Sequence, residues 1–96
     1  MTGRPIPEEP TAADLPWLLD EGLRMVQERQ ASGLDIYVSI QRQLEYLKTT
    51  LDSGQRPTDE KIASLTLGVY AAREFETSDP ELANMLFAVN YLANRL

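Results

Sequence analysis

The chain has 96 residues, 43% of them hydrophobic, with nine Lys and Arg residues against fifteen Asp and Glu residues and a formal net charge of −6. This length predicts one domain with a single core. The acidic balance argues against binding to nucleic acid or to anionic membranes, because both require clustered Lys and Arg. It suits a protein partner with a basic cleft.

The sequence contains no cysteine and no histidine. Disulfides and thiolate metal sites are therefore excluded, and the commonest general base and metal ligand is missing. Without a phosphate-binding loop or a nucleophile motif, the chain is predicted to be no enzyme and to need no cofactor or metal. No apolar run approaches the ~20 residues of a membrane span, and the N-terminus is unlike a secretion signal, so the expected location is the cytoplasm.

Residues 1–13 are predicted to form an extended arm in front of a helical domain over residues 14–96. Pro5, Pro7 and Pro10 lie in this segment. Each proline removes a backbone donor and favours extended geometry in the residue before it.

The first helix is predicted to begin near Asp14, with Pro16 tolerated in its first turn. Ser32–Gly33 is expected to end it, because glycine readily adopts the left-handed cap conformation. The predicted buried stripe is Leu15, Leu18, Leu19, Gly22 and Val26.

The second helix is predicted to begin at a capping Asp35 and to stop at residues 52–54. Its apolar residues recur at steps of three and four, which is typical of an amphipathic helix. They are Ile36, Ile40, Leu44, Leu47 and Leu51.

The third helix is predicted to start at the N-cap Thr58 and to run to the next turn as one element. Gly68 within it costs ~1 kcal/mol relative to alanine. A close approach between helices is therefore expected at that position. The predicted buried line is Ile62, Leu65, Val69 and Ala72.

The fourth helix is predicted to start with a capping box formed by Ser78 and Glu81, with Pro80 just inside. Its predicted stripe is Leu82, Leu86, Val89 and Leu92 or Ala93. Because the three connections are short, sequential helices are expected to pack antiparallel. The predicted fold is all-α, a four-helix antiparallel bundle with an extended proline-rich N-terminal arm.

Four acidic residues surround the turn between the third and fourth helices: Glu74, Glu76, Asp79 and Glu81. Carboxylates near a helix N-terminus are favoured for helix stability alone. The other interpretations are contact with a protein partner, acid–base chemistry, or binding of a hard cation. The spacing matches no calcium loop, so solvation, capping or partner contact is preferred.

The aromatic residues also have two interpretations. Tyr37, Tyr46, Tyr70 and Tyr91 lie mostly beside the leucine stripes, which is typical of core or boundary packing. An exposed tyrosine is instead a good binding anchor. Phe75, beside the acidic turn, is either a core residue or an exposed anchor.

Specific runs of residues resemble a family of small bacterial immunity proteins. These runs are 65–68 (Leu-Thr-Leu-Gly), 71–75 (Ala-Ala-Arg-Glu-Phe), 79–82 (Asp-Pro-Glu-Leu) and, in the second helix, 43–47 (Gln-Leu-Glu-Tyr-Leu). The family protects cells against type VI secretion effectors whose toxin domains destroy NAD and NADP. The resemblance covers about four-fifths of the chain, roughly Leu15 to Leu92, and the arm before Asp14 departs from it.

The resemblance implies an immunity protein that binds a cognate effector toxin domain and occludes its active site. A toxin that makes or breaks other nucleotides is an alternative substrate class. The matched segments and their charge give the expected partner-binding residues: Gln43, Tyr46, Glu74, Phe75, Glu76, Asp79 and Glu81. The alternative function is a self-associating helical structural or regulatory module.

Overall fold

The computed structural model describes residues 6–7 and 9–96, and every regular element in that part of the chain is helical. The helices are α1 (Leu15–Arg29), α2 (Asp35–Asp52), α3 (Asp59–Ala63), α4 (Leu67–Tyr70) and α5 (Pro80–Ala93). Short 3-10 turns, Ala12–Asp14 and Gln30–Ser32, flank α1, and a π-helical turn, Ala71–Phe75, continues α4. The all-α prediction is confirmed. The predicted arm falls partly on residues 1–5 and 8, which lie outside the described residues.

The helices form an antiparallel bundle, as pairs of contacts along them show. Helices α1 and α2 run antiparallel. Asp20, early in α1, pairs with Lys48, late in α2, and Gln30, just after α1, hydrogen-bonds to Gln41, nearer the start of α2. The chain over 61–75 also runs antiparallel to α2. Its successive contacts there are Lys61 with Tyr46, Thr66 with Gln43, Tyr70 with Ser39 and Phe75 with Tyr37.

The first helix occupies the centre of the bundle, where it packs against both α2 and α5. Gly22 lies at this crossing, and a Cβ placed on it would stand 3.3 Å from Leu44 Cδ1 and 3.5 Å from Met85 Cγ. The absence of a side chain at Gly22 therefore lets Leu44 of α2 approach α1 closely, whereas a Cβ would be in ordinary contact with Met85 of α5. The predicted α1 stripe is confirmed, since all its members are buried.

The predicted stripes of α2 and α5 are also confirmed. Ile40, Leu44 and Leu47 are fully buried, whereas Ile36 and Leu51 at the ends of α2 are half-buried. In α5 every predicted position is buried, both Leu92 and Ala93 included. The predicted glycine stop after α1 is confirmed as well, because Gly33 has a φ of 79°.

The third predicted helix is wrong as a single element. One helix ends at Ala63 and the next begins at Leu67. The side chains after this interruption therefore face other directions than they would in a continuous helix. Val69 and Ala72 are exposed and Ile62 and Leu65 only half-buried. The buried residues of this segment are instead Leu67, Ala71 and Phe75.

The physical reason lies in Gln43 of α2. Its side-chain oxygen accepts a hydrogen bond from the Thr66 backbone N–H at 2.8 Å, and its amide nitrogen donates to the Thr66 hydroxyl at 2.8 Å. These bonds satisfy a backbone donor that a continuous helix would have used internally. The expected close approach at Gly68 is confirmed, because a Cβ there would lie 3.0 Å from Asn90 Nδ2.

Two predicted caps are displaced by one residue, and one is confirmed. Leu34, not Asp35, precedes α2 as its N-cap. Asp79, not Ser78, caps α5 by accepting from the Leu82 backbone N–H, while Ser78 donates its hydroxyl to the Glu74 carbonyl. Thr58 caps α3 as predicted, accepting from Lys61 N.

Replacing Leu44 with alanine should lower the free energy of unfolding by about 2–5 kcal/mol, because the side chain is 0% exposed and fills the space beside Gly22. The matched control is Leu34→Ala, since Leu34 is 56% exposed and should change stability by less than ~0.5 kcal/mol. Urea unfolding of both variants checks the prediction. Equal losses would contradict a core centred on the α1–α2–α5 crossing.

Candidate partner-binding surface

An acidic surface is formed where the π-helical turn ends and α5 begins. We call Glu74, Glu76, Asp79 and Glu81 the acidic turn. The π-helical turn directs Phe75 into the core, where its ring stacks on Tyr37 with centroids 5.7 Å apart, and leaves Glu74 exposed. π-helical turns are rare in proteins, and those that occur are often found at functional sites.

Arg29, the last residue of α1, ties the acidic turn to the bundle. Its Nε lies 2.5 Å from Asp79 Oδ2 and its Nη2 lies 3.2 Å from Asp79 Oδ1, a bidentate ion pair. The carboxylates of Glu28 and Glu81 both stand 3.7 Å from the same guanidinium. Three carboxylates thus share Arg29, and the surface keeps an excess of negative charge.

The ion pair between Arg29 and Asp79 perturbs both groups. The hydrogen bonds from the Arg29 guanidinium lower the pKa of the Asp79 carboxyl, against the opposing effect of partial burial. The same hydrogen bonds raise the pKa of Arg29. Asp79 therefore has a structural task, since it anchors α1 to α5 and caps α5 at once.

The other carboxylates of the acidic turn are free for outside contact. Glu74 and Glu76 are exposed, and neither side chain forms an ion pair with any described residue. Glu81 is exposed as well, and only the weak approach to Arg29 engages it. These three side chains present their charge to solvent along one edge of the bundle.

The structure places the remaining predicted site residues elsewhere. Phe75 is 5% exposed, so of its two interpretations the structure gives core packing. Gln43 is engaged with Thr66, and the ring of Tyr46 lies under Lys61 at 5.6 Å. Tyr37, which contacts Phe75, lies six residues before Gln43, or roughly 9 Å along α2. Six of the seven predicted residues thus form the acidic turn and a separate patch on α2, and the seventh, Phe75, belongs to the core.

Sequence reasoning missed two features of this surface. One is Arg29, whose position in the last turn of α1 is favoured by the helix dipole and could have indicated a partner across the bundle. The other is Phe87, which is 39% exposed on the outer face of α5 and pairs there with Tyr91, a tyrosine with two interpretations that the structure leaves 45% exposed. Their spacing of four residues, off the leucine stripe, is the signal for an exposed aromatic pair.

Open grooves border this outer face of α5. One, of about 430 Å³, lies between the face and the segment around Ile6, Pro7 and Pro10. A second, of about 480 Å³, lies between α5 and the α3–α4 segment and includes Val69 and Arg73.

Among residues 6–7 and 9–96, no group of three acidic side chains is arranged to hold a metal ion. Within the same residues, no helix combines the length and apolarity needed to cross a membrane.

Comparison with known proteins identifies relatives over the helical part of the chain. The model of the Tsi6 family matches residues 15–95. The immune protein Tsi6 of Pseudomonas aeruginosa is 34% identical over 80 residues, covering 80% of this chain and 83% of that protein. The solved structure of Tsi6 from Pseudomonas aeruginosa superposes with a TM-score of 0.72 at 30% identity, covering 80% of this chain and 91% of that one.

Replacing Asp79 with asparagine should cost about 1 kcal/mol at pH 7, because it removes the charge but keeps a side-chain oxygen able to cap α5. The folded-state pKa of Asp79 lies below its unfolded value, so the stabilisation is present above about pH 4 and is lost as the pH falls through the folded pKa. Urea unfolding at pH 7 and pH 3 checks this.

The gap between Asp79→Asn and the unsubstituted protein should therefore be smaller at pH 3 than at pH 7. The control is Glu76→Gln, an exposed carboxylate without an ion pair, which should leave stability unchanged at both values. A gap of the same size at both pH values would show that Asp79 acts through packing or capping and not through Arg29.

Proposed function

This chain belongs to the Tsi6 family of type VI secretion immunity proteins, and from that membership we propose that it binds the toxin domain of one cognate effector and occludes its active site. As a member of an immunity family, it is an inhibitor and not an enzyme. The observation that supports the mode of inhibition is the exposed carboxylates of the acidic turn.

We propose that the toxin domain acts on NAD or NADP, or on another phosphate-rich nucleotide. An enzyme that holds such a substrate requires positive charge in its cleft to bind the phosphates. Glu74, Glu76 and Glu81 offer carboxylate oxygens that match the same donors. A protein edge that carries them can occupy the cleft entrance and exclude the nucleotide.

The net charge of −6 adds a kinetic advantage. Electrostatic attraction between an acidic inhibitor and a basic cleft accelerates their encounter, and the acceleration falls as salt screens the charges. Rapid capture matters for an immunity protein, because an unbound toxin continues to consume its substrate. We place this encounter in the cytosol, where NAD and NADP are available to a delivered toxin.

The acidic turn is the main contact in this proposal. Asp79 holds the turn in place through Arg29, and Phe75 holds it from below through the core. Gln43 and Tyr46 form a second candidate contact on α2, and their bonds to Thr66 and Lys61 fix that patch in position.

Co-purification from the native host tests the function itself. The tagged protein should recover one dominant partner in equimolar amount, an effector with a toxin domain encoded beside its own gene. That toxin domain, made catalytically inactive, then serves as the probe for binding measurements. Recovery of this protein only as a self-associated oligomer would contradict the proposal and favour a structural module.

Single reversals Glu74→Lys and Glu76→Lys should each slow association with the toxin domain by about tenfold at low salt, because each removes part of the attraction and adds repulsion. The helical circular dichroism should not change, since both side chains are exposed and unpaired among the described residues. Stopped-flow association at several salt concentrations gives the rates.

The matched control is Asp52→Lys, which changes the net charge equally but lies at the exposed C-terminal end of α2, away from the end where Tyr37 contacts Phe75. Its effect on association should be much smaller than that of the two reversals in the acidic turn. Equal slowing by all three variants would mean that only the total charge matters, and the acidic turn would lose its assigned role.

A further inference from the structure

Beyond Glu81, the outer face of α5 carries little charge for this protein. The chain carries a net charge of −6, yet the stretch from Leu82 to Leu96 contains no carboxylate. Its one charged side chain, Arg95, stacks on the Tyr91 ring at 4.2 Å. Tyr91 and Phe87 remain 45% and 39% exposed beside each other. Exposed aromatic side chains in a region depleted of charge are typical of the centre of a protein interface.

This aromatic pair lies beside a groove and does not form a flat surface. One wall of this open groove is formed by the arm residues Ile6, Pro7, Glu9 and Pro10, and the other by Asn84, Phe87, Ala88 and Tyr91 of α5; its volume is about 430 Å³. The arm wall is fixed at its far end, where the Asp14 carboxylate accepts from the Thr11 backbone N–H at 2.8 Å and from Trp17 Nε1 at 3.2 Å. A groove of this size accepts a large apolar side chain.

The groove is continuous with the acidic turn. Glu81, Asn84, Ala88 and Tyr91 follow one another at steps of three, four and three, so they share one face of α5. The distance from Glu81 to Tyr91 is roughly 15 Å along the helix. A single partner surface can therefore contact the acidic turn and the groove at the same time.

From this continuity we infer that the groove binds an apolar side chain of the same toxin domain, one that projects beside the basic cleft facing the acidic turn. This inference rests on the proposed function and extends it. The acidic turn attracts the toxin domain, and the groove retains it. The arm wall lies outside residues 15–95, the part matched by the family model, so this contact distinguishes the cognate toxin from toxins of other family members.

A second copy of this chain fits the groove less well. The exposed strip of α5 is 14 residues long, or roughly 21 Å by 10 Å, about 200 Å², whereas a stable interface needs ~800 Å² on each partner. Two copies with a net charge of −6 each also repel one another. Joined to the acidic turn, however, the strip extends one contact surface for a larger partner.

The test uses the full chain with Ile6→Ser, Phe87→Ser or Val38→Ser, and the inactivated cognate toxin domain as the probe. Ile6 and Phe87 line opposite walls of the groove, whereas Val38, which is 41% exposed, lies on α2 and lines no part of it. Ile6 lies outside every helix but packs against the core, so urea unfolding of Ile6→Ser accompanies the binding measurement to show that the bundle is retained. Biolayer interferometry gives both rate constants.

Ile6→Ser and Phe87→Ser should each raise the dissociation rate constant by about tenfold, while association and its salt dependence stay unchanged. Val38→Ser should leave both rates as they are.

Wild-type dissociation in both groove variants, together with slow association of Glu74→Lys, would overturn the role of the groove and leave the proposed function standing. Failure of the unsubstituted chain to bind the toxin domain would overturn both. If Phe87→Ser instead turned an oligomer into a monomer, a second copy would be the occupant and the inference would be wrong.

Discussion

The close packing of α1 against two neighbours is the constraint on which the structure depends. A chain of 96 residues can build only one core, and here α1 supplies its middle. Gly22 favours this arrangement because a Cβ there would press on Leu44 of α2, at 3.3 Å. The position of α1 then determines where Arg29 emerges, and Arg29 determines where α5 begins. The candidate surface is thus set by packing at a residue that lies well away from it.

The acidic turn combines order with charge. A surface that captures a partner through electrostatic attraction gains affinity when its charges are already in place, because less conformational entropy is lost on binding. Phe75 and the Arg29–Asp79 ion pair supply that order from inside the bundle. Glu74 and Glu76 remain outside the ion-pair network of the described residues, so their charge is available to a partner. The division of roles explains how adjacent carboxylates serve different purposes.

Much of the fold could be predicted from the sequence, because three helices carry a regular apolar period. The period of the third predicted helix was misleading: Leu65, Val69 and Ala72 have helical spacing, yet the break after Ala63 and the π-helical turn bury Leu67, Ala71 and Phe75 instead. A local pattern cannot show that Gln43, 23 residues away, captures the Thr66 backbone. The acidic residues of the turn could be recognised in the sequence. The pairing of Asp79 with Arg29 could not, because the two residues lie 50 positions apart. The spacing of Phe87 and Tyr91 is compatible with an exposed pair on α5, but their exposure of 39% and 45% depends on the tertiary packing.

Titration of the active effector toxin domain with this protein tests the central claim most directly, with NAD as the first substrate. Occlusion of the active site predicts that hydrolysis falls linearly and stops at one molar equivalent. It also predicts that a non-hydrolysable nucleotide analogue competes with this protein for the toxin domain. A toxin domain that binds this protein but still turns over its substrate would contradict occlusion, as would an analogue that binds the complex as well as it binds the free toxin domain.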